Sequence, residues 1–463
     1  MRMFHDWPRL RPSFAVVALV GAIGIAGCGS SSSSSSSSSA PTSTAATSSA
    51  ATSTAASTTA ASSSAAAGGA TDTSSCGPKP GVKAAGTPIN LGSINTHQPG
   101  TDFTDIANME TAYFNCVNAN GGVNGHPVVI YAQTDMTQPS QIAAAASKLV
   151  TGDHVVGMVG TTDLLECTIN QAYWKKIGMY EIDSGIAPEC WSTPNSAAVN
   201  MGPRYSSDGA VQYAIAHGAK KIVFDQSNVP GTGYIAGGPA ALAAAAHVPI
   251  TQLTENVPIT DASSVAIKEV DDAGPNGAVV LNYTPPEALV ILQAAQKLAL
   301  EDRVKLWGCS TPCNTDFLAK ALGPKWDHKL FVNSEFTPPD GNNTPEFQLY
   351  RAVLKQYGSA VSSGIGSFSQ FGWVEAKFAQ QALTGIKGPY TVKSVNAAFK
   401  AITDYKTGML CTPWTYGGYA FHIPNNTDYT TTPTNGQMLT AQGCTAISSN
   451  DPQIAAYHKI AGS

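Results

Sequence analysis

Charge is what this sequence has least of. Asp, Glu, Lys and Arg make up 12% of its 463 residues, about half the usual share. Ala, Gly, Ser and Thr fill the difference. No basic run exists that could neutralise phosphates, and the formal net charge is −5, so nucleic acid is not an expected partner. Signatures of catalysis are missing as well. There is no GxSxG elbow and no HExxH pair, and His97, His126, His154, His217, His247, His328, His422 and His458 are scattered. Gly231-Thr232-Gly233 breaks the GxGxxG spacing of a dinucleotide site. Asp271-Asp272 reads as a solvated loop before Ala273-Gly274-Pro275 rather than as a catalytic pair. A secreted hydrolase is therefore the weakest function class, and no catalytic residue, metal or cofactor is expected.

Long apolar runs are also scarce. The only marked one, residues 14–26, follows a head carrying Arg2, Arg9 and Arg11 and is shorter than the roughly 20 residues a membrane span needs. A basic head and a run of this length are the pattern of a secretory signal. Its end, Ile25-Ala26-Gly27-Cys28, resembles the lipobox of bacterial lipoproteins, in which the Cys is lipidated and becomes the new amino terminus. Residues 1–27 are thus expected to be a signal peptide, with Cys28 lipid-anchored on the extracytoplasmic face of a bacterial cell membrane. The alternative is a secreted protein in which Cys28 is incidental. Loss of the segment, with three Arg against one Asp, leaves −7 on the remainder. Residues 29–75 hold no aromatic or large aliphatic side chain, so residues 28–75 are expected to form a disordered Ser/Thr/Ala tether.

Nine cysteines are present. With Cys28 lipidated, eight remain, an even number that suits disulfides in an oxidising compartment. Spacing suggests Cys167 with Cys190, Cys309 with Cys313 and Cys411 with Cys444, which leaves Cys76 with Cys116; sequence alone also permits other pairings. Three residues separate Cys309 from Cys313, so the pair is not a CxxC redox motif. Zinc is a weaker reading, because four clustered ligands at zinc spacing are lacking.

The folded part opens on a strand, helix, strand unit: a β-type run at 88–94, a polar loop at 95–104, a helical segment at 105–119, the turn Asn120-Gly121-Gly122-Val123-Asn124-Gly125, and a second strand at 127–132. Open α/β sheets bind ligands at such loops, beyond the carboxyl ends of strands. Similar units follow. Helices are expected at 139–151, 164–176, 207–217, 234–246, 287–298, 345–357 and within 367–383. Short strands are expected at 154–159, 179–182, 220–225, 277–281, 305–307 and 329–332. Between Cys411 and Cys444 the helical period fades, and strands and loops are expected. This alternation predicts an α/β fold with parallel sheets and helices on both faces. There are too many units for one sheet. Two lobes joined by several crossings are expected, with a split near 203–207, a return near 333 and a further crossing near 411–414.

Gly160-Thr161-Thr162-Asp163 places hydroxyls after a strand and before a helix, an arrangement that suits either a ligand carboxylate or carbonyl or plain helix capping. Tyr283 and Trp191 read either as cleft walls or as packing and loop anchors.

Several stretches resemble the type I periplasmic-binding-protein family, specifically the leucine/isoleucine/valine-binding group of substrate-binding lipoproteins of ABC importers. They are Ile89-Asn90-Leu91-Gly92-Ser93-Ile94, the run from Asn118 through the NGGVNG turn to His126-Pro127-Val128, Thr134-Asp135, and Gly157-Met158-Val159-Gly160-Thr161. The resemblance implies two Rossmann-like lobes with parallel-sheet cores joined by multiple hinge crossings. The expected division is 76–204 and 205–332 for the first parts of lobes 1 and 2, then 333–411 and 412–463 for their returns. It further implies a monomer that captures a small organic ligand, an amino acid, amide or organic acid, and passes it to an ABC permease. A sensory lipoprotein acting with a separate membrane receptor is the alternative.

Carried onto this chain, the resemblance makes Thr161, with Thr162 beside it, the counterpart of the family serine that takes a ligand carboxylate. Ser184 and Gly185 stand near the second hydroxyl position, and Tyr283 at the aromatic one, followed by Thr284. Gln226, Glu335 and Phe103 complete the candidate set, and His97 and Asp102 stand in the same loop as Phe103. Two positions depart from the family. Val229 and Pro230 replace a tyrosine, and Cys309, Ser310 and Thr311 stand where an acid would receive an amino group. A buried ammonium without a carboxylate partner costs several kcal/mol. An α-amino acid therefore requires Asp102, Asp163, Asp225 or Glu335 to supply the charge, and otherwise an uncharged or monoanionic solute suits the hydroxyls, amides and aromatic walls better.

Overall fold

A computed structural model describes residues 72–417, 421 and 423–461. The signal segment, Cys28 and the tether up to residue 71 lie outside the described residues. No helix among the described residues is long and apolar enough to cross a membrane.

In chain order the elements are β1 (Ile89–Gln98), β2 (Thr101–Asp102), α1 (Thr104–Ala119), β3 (Val128–Asp135), α2 (Pro139–Thr151), β4 (Met158–Thr161), α3 (Glu166–Ile177), β5 (Glu181–Asp183), β6 (Ser196–Ala198), α4 (Gly202–Ala216), β7 (Ile222–Ser227), α5 (Gly237–Ala245) and β8 (Ile250–Glu255). They continue with α6 (Ala262–Ala273), β9 (Ala278–Asn282), α7 (Pro285–Lys297), β10 (Leu306–Cys309), α8 (Asp316–Leu322), β11 (Leu330–Ser334), α9 (Pro345–Tyr357), α10 (Ser367–Thr384), α11 (Val392–Lys400), β12 (Thr427–Thr434), β13 (Gln437–Ala446) and α12 (Pro452–Ala461).

The helices start and stop where side-chain chemistry dictates. Pro139 opens α2, whose Ile142, Ala145, Ala146 and Leu149 recur at helical spacing and are buried. Thr315 caps α8 by accepting the Leu318 N–H, and Thr391 and Ser394 form a reciprocal capping box on α11. Gly178 ends α3 in the left-handed region. The NGGVNG turn needs the same freedom: Gly121, Gly122 and Gly125 have positive φ, and a Cβ on Gly122 would lie 2.3 Å from the His126 carbonyl oxygen. The Asn118 amide then brackets Val128, bonding its N–H and C=O at 2.8 Å each, and fixes where β3 begins.

Lobe 1 holds a sheet ordered β3-β1-β4-β5-β6, all parallel, with β2 folded antiparallel onto the end of β1. Lobe 2 holds a seven-stranded sheet, β13-β12-β11-β10-β9-β7-β8, whose β12 and β13 form an antiparallel hairpin on its edge. Alternation sorts the second sheet cleanly. Ile222, Phe224, Ala278 and Val280 enter one core, and Val223, Val279 and Leu281 enter the core on the opposite face. The main lobe 1 core is aromatic, with Phe378 stacked on Trp414 at 4.2 Å and Trp373 against Tyr113 and Tyr350.

Three segments cross between the lobes: β6 to α4, β11 to α9, and the chain between Tyr416 and β12. Trp414 and Tyr416 belong to the lobe 1 core, so the last crossing lies beyond the expected 411–414. The crossings bond to one another, through Asn425 to the Val199 carbonyl and the Met201 N–H to the Glu335 carboxyl, beside the bond from Trp414 Nε1 to the Ala198 carbonyl within lobe 1. Trp191 packs there with Met201, Tyr205, Ile423 and Ile454, so it anchors a loop and is not a cleft wall. Residues 250–273, to which the sequence pattern assigns no element, contain β8 and α6. Two other expectations differ. Asp271 and Asp272 close α6 rather than forming a loop. Finally, α4 begins at Gly202, a turn before 207, because Pro203 suits a first helical turn.

The eight described cysteines pair as Cys76–Cys116, Cys167–Cys190, Cys309–Cys313 and Cys411–Cys444.

Candidate functional site

Strands of both sheets end at the cleft between the lobes, as do the N-termini of α1, α4 and α7. Between the lobes lies a cavity lined by residues of both, the kind of place in which two-lobed folds hold small molecules. Six of the ten candidate residues line it: Phe103, Thr162, Ser184, Tyr283, Thr284 and Glu335. Ile106, Leu164, Ile186, Val229, Ile235, Phe368 and Phe371 make most of the wall apolar. Phe103 meets Phe368 edge-on at 5.8 Å.

The other four candidates are placed elsewhere. Adjacent strand residues point to opposite faces, and the Thr161 hydroxyl turns inward, accepting the Ile94 N–H at 3.4 Å beside buried Glu181. Thr162 is the neighbour at the cavity, and its Oγ1 is buried without a protein partner. Gly185 packs on the Cys190 and Trp191 side chains. Gln226 is buried but off the wall. The Ser310 hydroxyl is spent on Asn282 Oδ1 at 2.8 Å, while its neighbour Thr311 does reach the wall.

Asn200 was missed. It sits just after β6 in the first crossing, donates Nδ2 to the Gly185 carbonyl at 2.9 Å, and leaves Oδ1 buried without a partner at the cavity. No local motif marks it, since its position depends on where the crossing starts.

Of the four acids that could meet an ammonium, one reaches the cavity. Asp102 accepts the Thr104 N–H and hydroxyl and pairs with His97 on the exposed rim. Asp163 accepts from Thr96 and from the Leu165 N–H. Asp225 faces α6, beside Glu269 and the Tyr283 hydroxyl, so Tyr283 offers its ring rather than its oxygen to the cleft. Glu335 lines the cavity. Burial pushes its carboxyl up to about 8 despite bonds from the Met201 N–H and Thr311, and nearby Asp428 adds to the rise. Behind Ser184, whose hydroxyl donates to Glu375, the Glu375 and Glu110 carboxyls adjoin each other and both are raised well above the usual range by burial.

The lobes meet around the cavity. The Tyr234 hydroxyl donates to the Ile186 carbonyl at 2.6 Å, and Thr284 Oγ1 to the Gly100 carbonyl at 3.0 Å. Gly231 approaches the Leu164 carbonyl so closely that a Cβ would lie 2.7 Å from it. The cleft is therefore closed in this structure. An outer recess, bordered by Asp102, Asp105, Glu287 and Phe317, flanks the mouth. Cys167, Cys190 and Asp183 gather ligand-type atoms within 4.8 Å, but both sulfurs are committed to a disulfide.

Residues 88–437 match a family model described as periplasmic binding protein. No curated protein sequence matches. Among solved structures, the chain is similar to a fatty acid ABC transporter substrate-binding protein from Thermomonospora curvata, at 16% identity and TM-score 0.68, covering 81% of this chain and 97% of that one. It is similar to a branched-chain amino acid ABC transporter protein from Thermus thermophilus with bound valine, at 14% identity and TM-score 0.69, covering 80% and 99%. A solute-binding protein of an R. palustris ABC transporter in complex with 4-hydroxybenzoate gives 14% identity and TM-score 0.64, covering 78% and 97%.

Proposed function

The chain belongs to the periplasmic binding protein family, and we propose that it captures a small organic solute between its lobes and delivers it to an ABC importer. Members of the family bind rather than catalyse. The observation that carries the reading is the closed interlobe cavity, in which buried Thr162 Oγ1 and Asn200 Oδ1 have no protein partner. Buried polar atoms are nearly always satisfied, and these two face the cavity, where a bound molecule would complete their bonding. Phe103, Ser184, Tyr283, Thr284 and Glu335 join them as ligand contacts. The three crossings form the hinge, and lobe closure traps the solute.

Cys28 is the lipid-anchor site in this reading, and residues 28–75 are the tether that lets the body reach a permease. Deletion of the gene followed by uptake assays with labelled solutes tests transport. Loss of import of one solute, restored by re-expression, is expected. Intact import with loss of a signalling response to that solute would instead make the protein a sensor.

A further inference from the structure

The cavity's electrostatics narrow the ligand further. We propose that the site takes an electrically neutral solute, an apolar or aromatic body bearing a carboxamide or hydroxyl head that donates to Thr162 and Asn200. This rests on the binding-protein reading and adds the charge class of its ligand.

An anion would meet the positive ends of helix dipoles here but no cationic side chain. Among the described residues, no Lys, Arg or His lines the cavity. Arg204 stands in the first turn of α4, but it is spent on Asp451, through Nε at 2.7 Å and Nη2 at 3.0 Å, with Nη1 on the Tyr234 carbonyl. A desolvated carboxylate without a counter-charge is costly.

A cation fares no better. Glu335 is the one acid at the wall, and it is enclosed by the second crossing with Asp428 close behind. Ionising it for an ammonium means burying two charges beside Asp428, in a cavity whose wall is mostly apolar. A zwitterion needs both missing partners at once.

The neutral choice meets every group present. Asn200 Oδ1 only accepts, and its Nδ2 is held by the Gly185 carbonyl, so it requires a ligand N–H or O–H. Glu335, as a neutral acid, both donates and accepts. The N-termini of α1, α4 and α7 present the positive ends of their dipoles to the cavity, which suits a carbonyl oxygen. A carboxamide combines that oxygen with two donors. The aromatic and aliphatic wall takes the rest of the molecule.

The test is a thermal-shift screen of the purified full chain in detergent at pH 6 against neutral, anionic, cationic and zwitterionic solutes. It should include matched sets on one skeleton such as benzamide, benzoate and benzylamine, with calorimetry on every stabiliser. Neutral members are expected to bind at least about 10-fold more tightly than their charged counterparts. Replacing Thr162 by Val should cost about 10-fold for an amide and nothing for the matched methyl ketone. A strongest binder that is anionic, cationic or zwitterionic would overturn the neutral-ligand inference and leave the binding-protein reading standing. Absence of any stabiliser in all four classes would defeat both.

Discussion

Raising the pH should loosen this protein well before any base-sensitive group is reached. Most folded proteins bury few carboxyls without a cation, whereas here Glu110, Asp225 and Glu269 each have both side-chain oxygens buried without a hydrogen-bond donor. Such groups persist as neutral acids or as pairs sharing a proton. Glu335 gives the magnitude. Its carboxyl rises from an ordinary 4.5 to about 8 and is fully buried. A carboxyl whose folded value is raised holds its proton more tightly folded than unfolded. Its stabilising contribution is therefore complete below about pH 4 and is lost as pH climbs toward 8. Between pH 5 and 8 that one group forfeits about 3 pH units of linkage, or about 4 kcal/mol. Asp428, raised to about 7 chiefly by burial, acts in the same direction but shares surroundings with Glu335, so the two are not summed. For a folded body of this size, about 4 kcal/mol corresponds to a fall in Tm of about 5 °C. Calorimetric scans at unit steps from pH 4 to 9 measure it, and Glu335→Gln should flatten the slope by about one proton. A Tm that is flat or rises between pH 5 and 8 would refute the reasoning. Asp451 runs the other way. It is held below the usual carboxylate value by Asp208 and Arg204, so its share of stability is lost as pH falls below about 4.

Other consequences follow from the same contacts. Tyr234→Phe removes the hydrogen bond that closes α5's approach onto Ile186, so stopped-flow release of a bound solute should quicken by about 3–10-fold with Tm nearly unchanged; an unaltered release rate would deny Tyr234 a part in closure. Arg204→Met leaves Asp451 and Asp208 buried without their cation and should cost about 3–5 kcal/mol in urea unfolding at pH 7. Replacing Cys76 and Cys116 together by Ser opens a loop with a sequence separation of 40 and should cost about 2–4 kcal/mol, read by the same unfolding curves.

The opening unit was legible because its signals are local. A glycine turn, an amphipathic stretch and a β-type run each depend on neighbours within a few residues, and α2 and α9 begin and end where their proline and apolar spacing put them. Residues 250–273 were harder, since the half-exposed β8 lies on the sheet edge and α6 shows a mixed Ser, Lys and Asp face. The site was legible only as a set of loops. One step along β4 decides that Thr162 rather than Thr161 meets the cavity. The face of β7 turns Asp225 toward α6, and the convergence of two crossings brings Glu335 and Asn200 together. Such choices depend on partners tens of residues apart, as for Thr161 with Ile94, or more than a hundred, as for Glu335 with Met201, which no short window of sequence contains. The distinction between Tyr283's ring and its hydroxyl has the same origin, because Glu269, across the sheet face, forms the polar side of that environment.

The central claim is that a small molecule is held between the lobes. A crystal structure of the protein with the strongest stabiliser from the solute screen addresses it most directly. The account predicts the solute inside the closed cleft, with hydrogen bonds to Thr162 Oγ1 and Asn200 Oδ1 and its body against Phe103 and Phe368. A solute bound on the outer surface, with the interlobe cavity unfilled, would contradict it.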